Sequence, residues 1–169
     1  MSSRLINLYA FIAIVSLLFA SIYLQVFDGL EPCPLCTLQR LTFGLLAFFF
    51  LLGVLLPLNR MIRFILNLFT LTTAVMGAGL AGRQIWLQHF ANQATTECGA
   101  SLQYLLQMLP WHEALARVLV GSAECTERGF LFLFLNIAEW SFCWFLGFSM
   151  VTVYLLLKDL QQTKNKRNH

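Results

Sequence analysis

Charge is what this sequence has least of. Asp, Glu, Lys and Arg together make up 11% of the chain, against roughly 25% in ordinary soluble domains. Glycine and proline are also sparse, at 10 and 4 residues. There is no internal repeat and no low-complexity stretch. These absences exclude a disordered chain, a collagen-like chain and a small disulfide-stapled secreted scaffold. The net charge of +3 is too small to argue for nucleic acid as a partner. Apolar side chains take up the room instead, at 59% of 169 residues. A soluble domain of this size has too little interior to hide so much apolar surface. The composition implies an integral membrane protein, with residues 1–169 forming a single domain.

Four stretches are long enough to cross about 30 Å of hydrocarbon, which takes roughly 17–25 helical residues. They are residues 8–27, 41–58, 64–81 and 140–157. An outer-membrane barrel would show alternating segments of about ten residues instead. The expected fold is therefore all-α: a bundle of four transmembrane helices. The first stretch begins like a signal peptide, with Arg4 ahead of an apolar run. No A-x-A cleavage site follows, so it is read as a retained anchor. In the third, Ala74, Ala78 and Gly82 recur at every fourth position, a spacing that lets helix backbones pack closely.

Basic residues set the expected orientation. Arg4, Arg60, Arg63, Lys158, Lys164, Lys166 and Arg167 flank one side, seven of the 11 Lys and Arg residues. The positive-inside rule puts both termini in the cytoplasm. It leaves a short outer loop at 28–39 and a long one at 82–139. All four tryptophans fall on or near that outer side, as an interfacial belt would. The long loop should carry two short helices lying on the membrane surface. One runs through Leu102, Leu105, Leu106 and Leu109, with Ser101 as a cap. The other follows Pro110, with Trp111, Leu115, Val118 and Leu119 on its apolar face and a Glu113–Arg117 pair on its polar face. Phe130–Leu135 is apolar again, but joined to the last span it would give an overlong helix. A break is expected near Asn136–Glu139.

The chemistry lies in the cysteines. Cys33, Cys36, Cys98 and Cys125 all fall in the outer loops, where an envelope is oxidising. Cys143 lies in the fourth span, where apolar surroundings should keep it inert. A four-cysteine zinc site ordinarily has two close pairs, and here only Cys33–Cys36 is close. A C-x-x-C ring is small and stabilises little by the chain-entropy argument, so its spacing favours a redox site over a structural one. Pro34 suits the first turn of a helix. The second span would then begin at the cysteines and point its positive dipole end at them, favouring thiolate. Arg40 follows Cys36 by four residues and Cys33 by seven, so all three share one face. Its guanidinium either stabilises an anion there or simply snorkels to the interface.

At these residues the chain closely resembles the DsbB family of bacterial inner-membrane disulfide oxidases. The likeness covers nearly the whole sequence. It includes the four spans, Cys-Pro-Leu-Cys-x-x-Gln-Arg at 33–40, the loop cysteines Cys98 and Cys125, and Glu-Cys-Thr-Glu-Arg at 124–128. The resemblance implies a quinone-dependent protein-disulfide oxidoreductase. In it Cys98 would form a mixed disulfide with a DsbA-type thiol oxidase, with Cys125 as its partner. Cys33 would exchange with that pair and Cys36 would stand nearest the quinone, ubiquinone or menaquinone. Arg40 and His89 would bind the quinone, although a lone histidine at an interface is as often structural. A DsbA-type oxidase sits near −120 mV. A pair near −270 mV would face roughly 7 kcal/mol uphill in oxidising it, so a strong membrane oxidant is needed.

Three other readings remain open. One is a DsbB paralogue dedicated to a single DsbA-like partner. Another is a vitamin K epoxide reductase-like protein, which carries its C-x-x-C after the loop pair, the reverse of the order here. The last is a non-catalytic assembly or metal-handling protein with structural disulfides.

Overall fold

The computed structural model describes residues 3–28, 33–57, 59–90, 104, 107–120, 131–132 and 135–167. Its long elements are α1 (Ser3–Asp28), α2 (Pro34–Leu55), α3 (Arg60–Phe90) and α5 (Ile137–Arg167). A short helix, α4 (Trp111–Val120), precedes the last. Leu131–Phe132 (β1) pairs antiparallel with Leu135–Asn136 (β2) just ahead of α5. The four long helices are each apolar and long enough to cross a membrane, so the protein is an all-α, multi-pass membrane bundle.

The helices follow from local rules. Pro34 occupies the first turn of α2, where its missing N–H costs nothing. The helix ends at Leu55, just before Pro57, as helices commonly do ahead of proline. At the start of α5, Asn136 and Glu139 form a reciprocal cap. The Asn136 side-chain oxygen accepts from the Glu139 N–H at 2.9 Å, and the Glu139 carboxylate accepts from the Asn136 N–H at 2.8 Å. The expected break near Asn136–Glu139 is this cap. α3 continues past Ala81 to Phe90, so Gly82, Arg83, Gln84, Trp86 and His89 are helical, where a loop was expected from residue 82. The polar residues after Ala81 end the apolar run without ending the helix.

α3 packs most extensively on α5, and α2 sits between α1 and α3. The core is aromatic. Phe43 of α2 stacks on Phe145 of α5 with ring centroids 4.0 Å apart, and Phe148 meets Phe43 edge-on at 6.4 Å. Phe145 is fully buried, in a notch that Gly77 of α3 leaves open; a Cβ at Gly77 would collide with the ring. Ala74 and Ala81 are fully buried and Ala78 packs on the same cluster. Small residues on α3 therefore do let α5 approach, although Gly77 makes the closest fit. The outward faces carry exposed apolar side chains such as Phe19, Leu41 and Met150, as suits helices solvated by lipid. Cys143 lies among them, exposed on α5. Its place in a span put it in apolar surroundings, but those surroundings are lipid and not protein.

Among the described residues, buried polar groups other than Asn7 Oδ1 are matched within or between helices. Thr70, Thr73 and Thr152 return hydrogen bonds to carbonyls one turn back. Asp159 of α5 accepts from Asn67 of α3 at 3.0 Å and pairs with Arg63 at 3.7 Å. This clasp joins α3 and α5 at the end of the bundle far from Cys33.

Candidate functional site

Cys33 is the N-cap of α2. Its sulfur accepts the backbone N–H of Cys36 at 3.3 Å, and its carbonyl accepts from the Thr37 N–H at 3.0 Å. The two sulfurs lie 2.8 Å apart as free thiols. A closed disulfide spans about 2.05 Å, so little motion separates the reduced pair from the oxidised one. The pair sits on the positive end of the α2 dipole, which favours negative charge on either sulfur. The C-x-x-C and its proline therefore build a close dithiol at a helix N-terminus.

Two glutamines complete the setting: Gln39, present in the 33–40 motif without an assigned role, and Gln84, absent from the sequence-based expectations. Gln84 of α3 directs Nε2 at Cys36, with 3.1 Å to that sulfur and 3.6 Å to the sulfur of Cys33. Its Oε1 accepts from Nε2 of Gln39, on α2, at 2.7 Å. Both are buried, at 4% and 3% exposure. A buried carboxamide is costly unless hydrogen-bonded, and these two satisfy each other and the sulfurs. A sequence signal did exist. Gln84 lies three residues from Ala81 and from Leu87, all on the inner face of α3 and all buried. A polar residue on the buried stripe of a membrane helix is a site candidate.

Cys33, Leu35, Leu87 and Val118 form one buried apolar cluster, against which Cys36, Leu38 and Leu80 pack. Val118 comes from α4, which thus packs into the cluster that buries Cys33. Arg83 of α3 holds α4 there, its Nε donating to the Leu119 carbonyl at 3.0 Å. The buried face of α4 is Ala114 and Val118, while Trp111, Leu115 and Leu119 are exposed. Of the expected apolar face, Val118 turns inward beside Ala114. Small Ala114 permits the close contact, and the larger apolar residues turn outward, as on a helix lying in a membrane surface. The other expected loop helix, through Leu102–Leu109, lies largely outside the described residues, and the Arg117 side chain of the expected ion pair lies outside them too.

Arg40 is half-buried. Its guanidinium donates to Gln25 of α1 and to the Ser21 carbonyl, the latter at 3.2 Å. His89 lies in the last turn of α3. Its Nδ1 is 3.1 Å from the Ile85 carbonyl. A carbonyl only accepts, so Nδ1 carries the hydrogen. Nε2 faces Glu139 of α5 at 3.9 Å. One residue earlier, Gln88 accepts from the Asn136 side chain at 2.7 Å. His89 is thus placed beside the α3–α5 junction. Cys98 and Cys125 lie outside the described residues.

The family model for disulfide bond formation protein DsbB fits residues 3–155. The chain belongs to the DsbB family. It is 36% identical to disulfide bond formation protein B of Hahella chejuensis over 154 residues, covering 91% of this chain and 93% of the relative. The protein of the same name from Psychrobacter sp. is 35% identical over 161 residues, or 94% of each chain. That from Xanthomonas euvesicatoria is 36% identical over 148 residues, 87% of this chain and 86% of the other.

Proposed function

We propose that this membrane disulfide oxidoreductase takes electrons from a DsbA-type thiol oxidase and delivers them to a membrane quinone, so sustaining disulfide formation in exported proteins. The oxidoreductase role follows from the family. The quinone, the protein partner and the orientation in a bacterial inner membrane are the proposed parts. The observation that carries them is the placement of Cys33 and Cys36 at the N-terminus of an apolar helix, with Cys36 half-buried and apolar side chains such as Leu41 and Trp86 exposed nearby. Such a dithiol can meet a lipid-soluble reactant from one side and a protein loop from the other.

Each sulfur then has a role. Cys98 takes the partner's electrons as a mixed disulfide, Cys125 leaves as the thiolate of the loop pair, and the partner's own second thiol resolves the mixed disulfide. Cys33 exchanges with that loop pair, which requires α4 to uncover it. Cys36 receives the electron pair. Bound quinone, ubiquinone or menaquinone, would supply a two-electron, two-proton oxidant. The residues present fit such a group. Arg40 spends two N–H groups on α1 and a guanidinium carries five, so donors remain for a quinone oxygen. His89, the other residue proposed for the quinone, sits in the last turn of α3.

The orientation is supported by the charge pattern. Arg4, Arg63 and Lys158 lie on helix ends opposite the cysteines, so positive-inside places the cysteines on the periplasmic side and both termini in the cytoplasm. Stopped-flow mixing of the full chain with a reduced DsbA-type protein and a quinone analogue tests the proposal. The wild type should form quinol and Cys36→Ser should form none. Quinol formation by Cys36→Ser at the wild-type rate would overturn it.

A further inference from the structure

We infer that Gln84 is a catalytic residue of the thiol–disulfide exchange, stabilising Cys36 as the leaving thiolate, and that Gln39 is the positioning residue that aims it. The inference deepens the proposed function and rests on Cys33–Cys36 being the exchanging pair. When a loop thiolate attacks the Cys33 sulfur, a new disulfide forms on Cys33 and the Cys33–Cys36 bond breaks. The bonding electron pair leaves on Cys36, so no net charge or electron is gained in the step. Leaving groups depart faster, and the reduced pair is favoured more, when the departing thiolate is stabilised.

The geometry assigns that task. The Cys36 N–H is already given to Cys33, at 3.3 Å, so the end of α2 serves the first sulfur. The closer of the two Gln84 contacts, 3.1 Å, goes to the second. A carboxamide can present either its NH2 or its carbonyl oxygen, and only the NH2 attracts an anion. Gln39 settles the choice. Its Nε2 donates to Gln84 Oε1 at 2.7 Å, which turns the oxygen away from the sulfurs and the NH2 toward them. Both amides are buried. The donor is therefore fixed before the negative charge appears, which is how preorganised dipoles contribute most. A neutral donor also leaves the closed disulfide without an uncompensated buried charge beside it.

The test is the equilibrium between Cys33–Cys36 and glutathione, measured by thiol trapping and mass on the full chain with Cys98, Cys125 and Cys143 replaced by serine. Gln84→Leu removes the donor at similar size. Gln84→Glu puts a carboxylate where the NH2 stood. Each should make the pair less oxidising by at least tenfold in the exchange constant, about 30 mV for a two-electron couple. Gln39→Leu should shift it in the same direction by less. The trapping rate of Cys36 at fixed pH should fall in the same order. A glutamine that merely packs would change thermal stability and leave the exchange constant at its wild-type value. That result, in whichever of the Gln84 variants folds, overturns the inference. The measurement uses neither quinone nor protein partner. An unchanged constant in a chain that still forms quinol therefore sinks only this inference. A shifted constant in a chain that forms no quinol sinks only the proposed function.

Discussion

Arg40, one turn beyond Cys36 on α2, donates its guanidinium to the Ser21 carbonyl of α1 at 3.2 Å and to the Gln25 side chain beside it. A permanent cation is thereby held at the edge of the redox pair by the neighbouring helix. Arg40→Ala should raise the KM for a quinone analogue by about tenfold to a hundredfold, the loss of a charge-assisted contact of roughly 1.5–3 kcal/mol. Arg40→Lys keeps the charge but cannot fork to two partners, and should fall between. Steady-state kinetics at saturating reduced partner and varied quinone give the answer. An unchanged KM in Arg40→Ala would remove Arg40 from the quinone site.

Asn136→Ala tests the cap of α5. It removes the acceptor for the Glu139 N–H and the donor to Gln88. Losing an N-cap costs about 0.5–2 kcal/mol, and the second contact adds to it. Denaturation in detergent followed by helical circular dichroism should show a lowered midpoint. A midpoint equal to the wild type's would mean that α5 starts without help from this cap.

Two glycines on one helix separate packing from propensity. A Cβ at Gly77 would meet the Phe145 ring, while one at Gly79 would meet nothing within 4 Å. Gly77→Ala should destabilise by about 1–3 kcal/mol through overpacking. Gly79→Ala should be neutral or stabilising by up to about 1 kcal/mol, since alanine favours the helix. Parallel melts of the two variants decide it, and equal stability in both would contradict the notch assigned to Gly77.

Cys143→Ala should leave quinol formation unchanged. Its sulfur is exposed on the outward face of α5 and belongs to neither buried cluster. The comparison is of turnover rates for equal amounts of folded protein. A large loss of rate would give Cys143 a redox role that its position does not suggest.

The bundle was legible because lipid leaves long apolar runs in the sequence, and the start of α2 was legible because proline and C-x-x-C mark a helix N-terminus. The end of α3 was not. Arg83, Gln84 and Gln88 interrupt the hydropathy, yet each is used by a neighbour: Arg83 on α4, Gln84 on the sulfurs, Gln88 on Asn136. Polar contacts between helices carry the helix onward where hydropathy suggests a loop. For the same reason the close cysteine pair was visible and its amide donors were not. Cysteine spacing is a sequence pattern, whereas Gln39 and Gln84 meet only once α2 and α3 are packed.

Whether Cys33–Cys36 is itself the couple that reduces quinone is decided most directly by an anaerobic single turnover. The chain with Cys98 and Cys125 replaced by serine is fully reduced, freed of reductant and mixed with a quinone analogue. One quinol per chain should form as the Cys33 and Cys36 thiols disappear together, and none should form when Cys36 is also replaced. Quinol formation that vanishes with the loop cysteines alone, or that survives the loss of Cys36, would contradict the account.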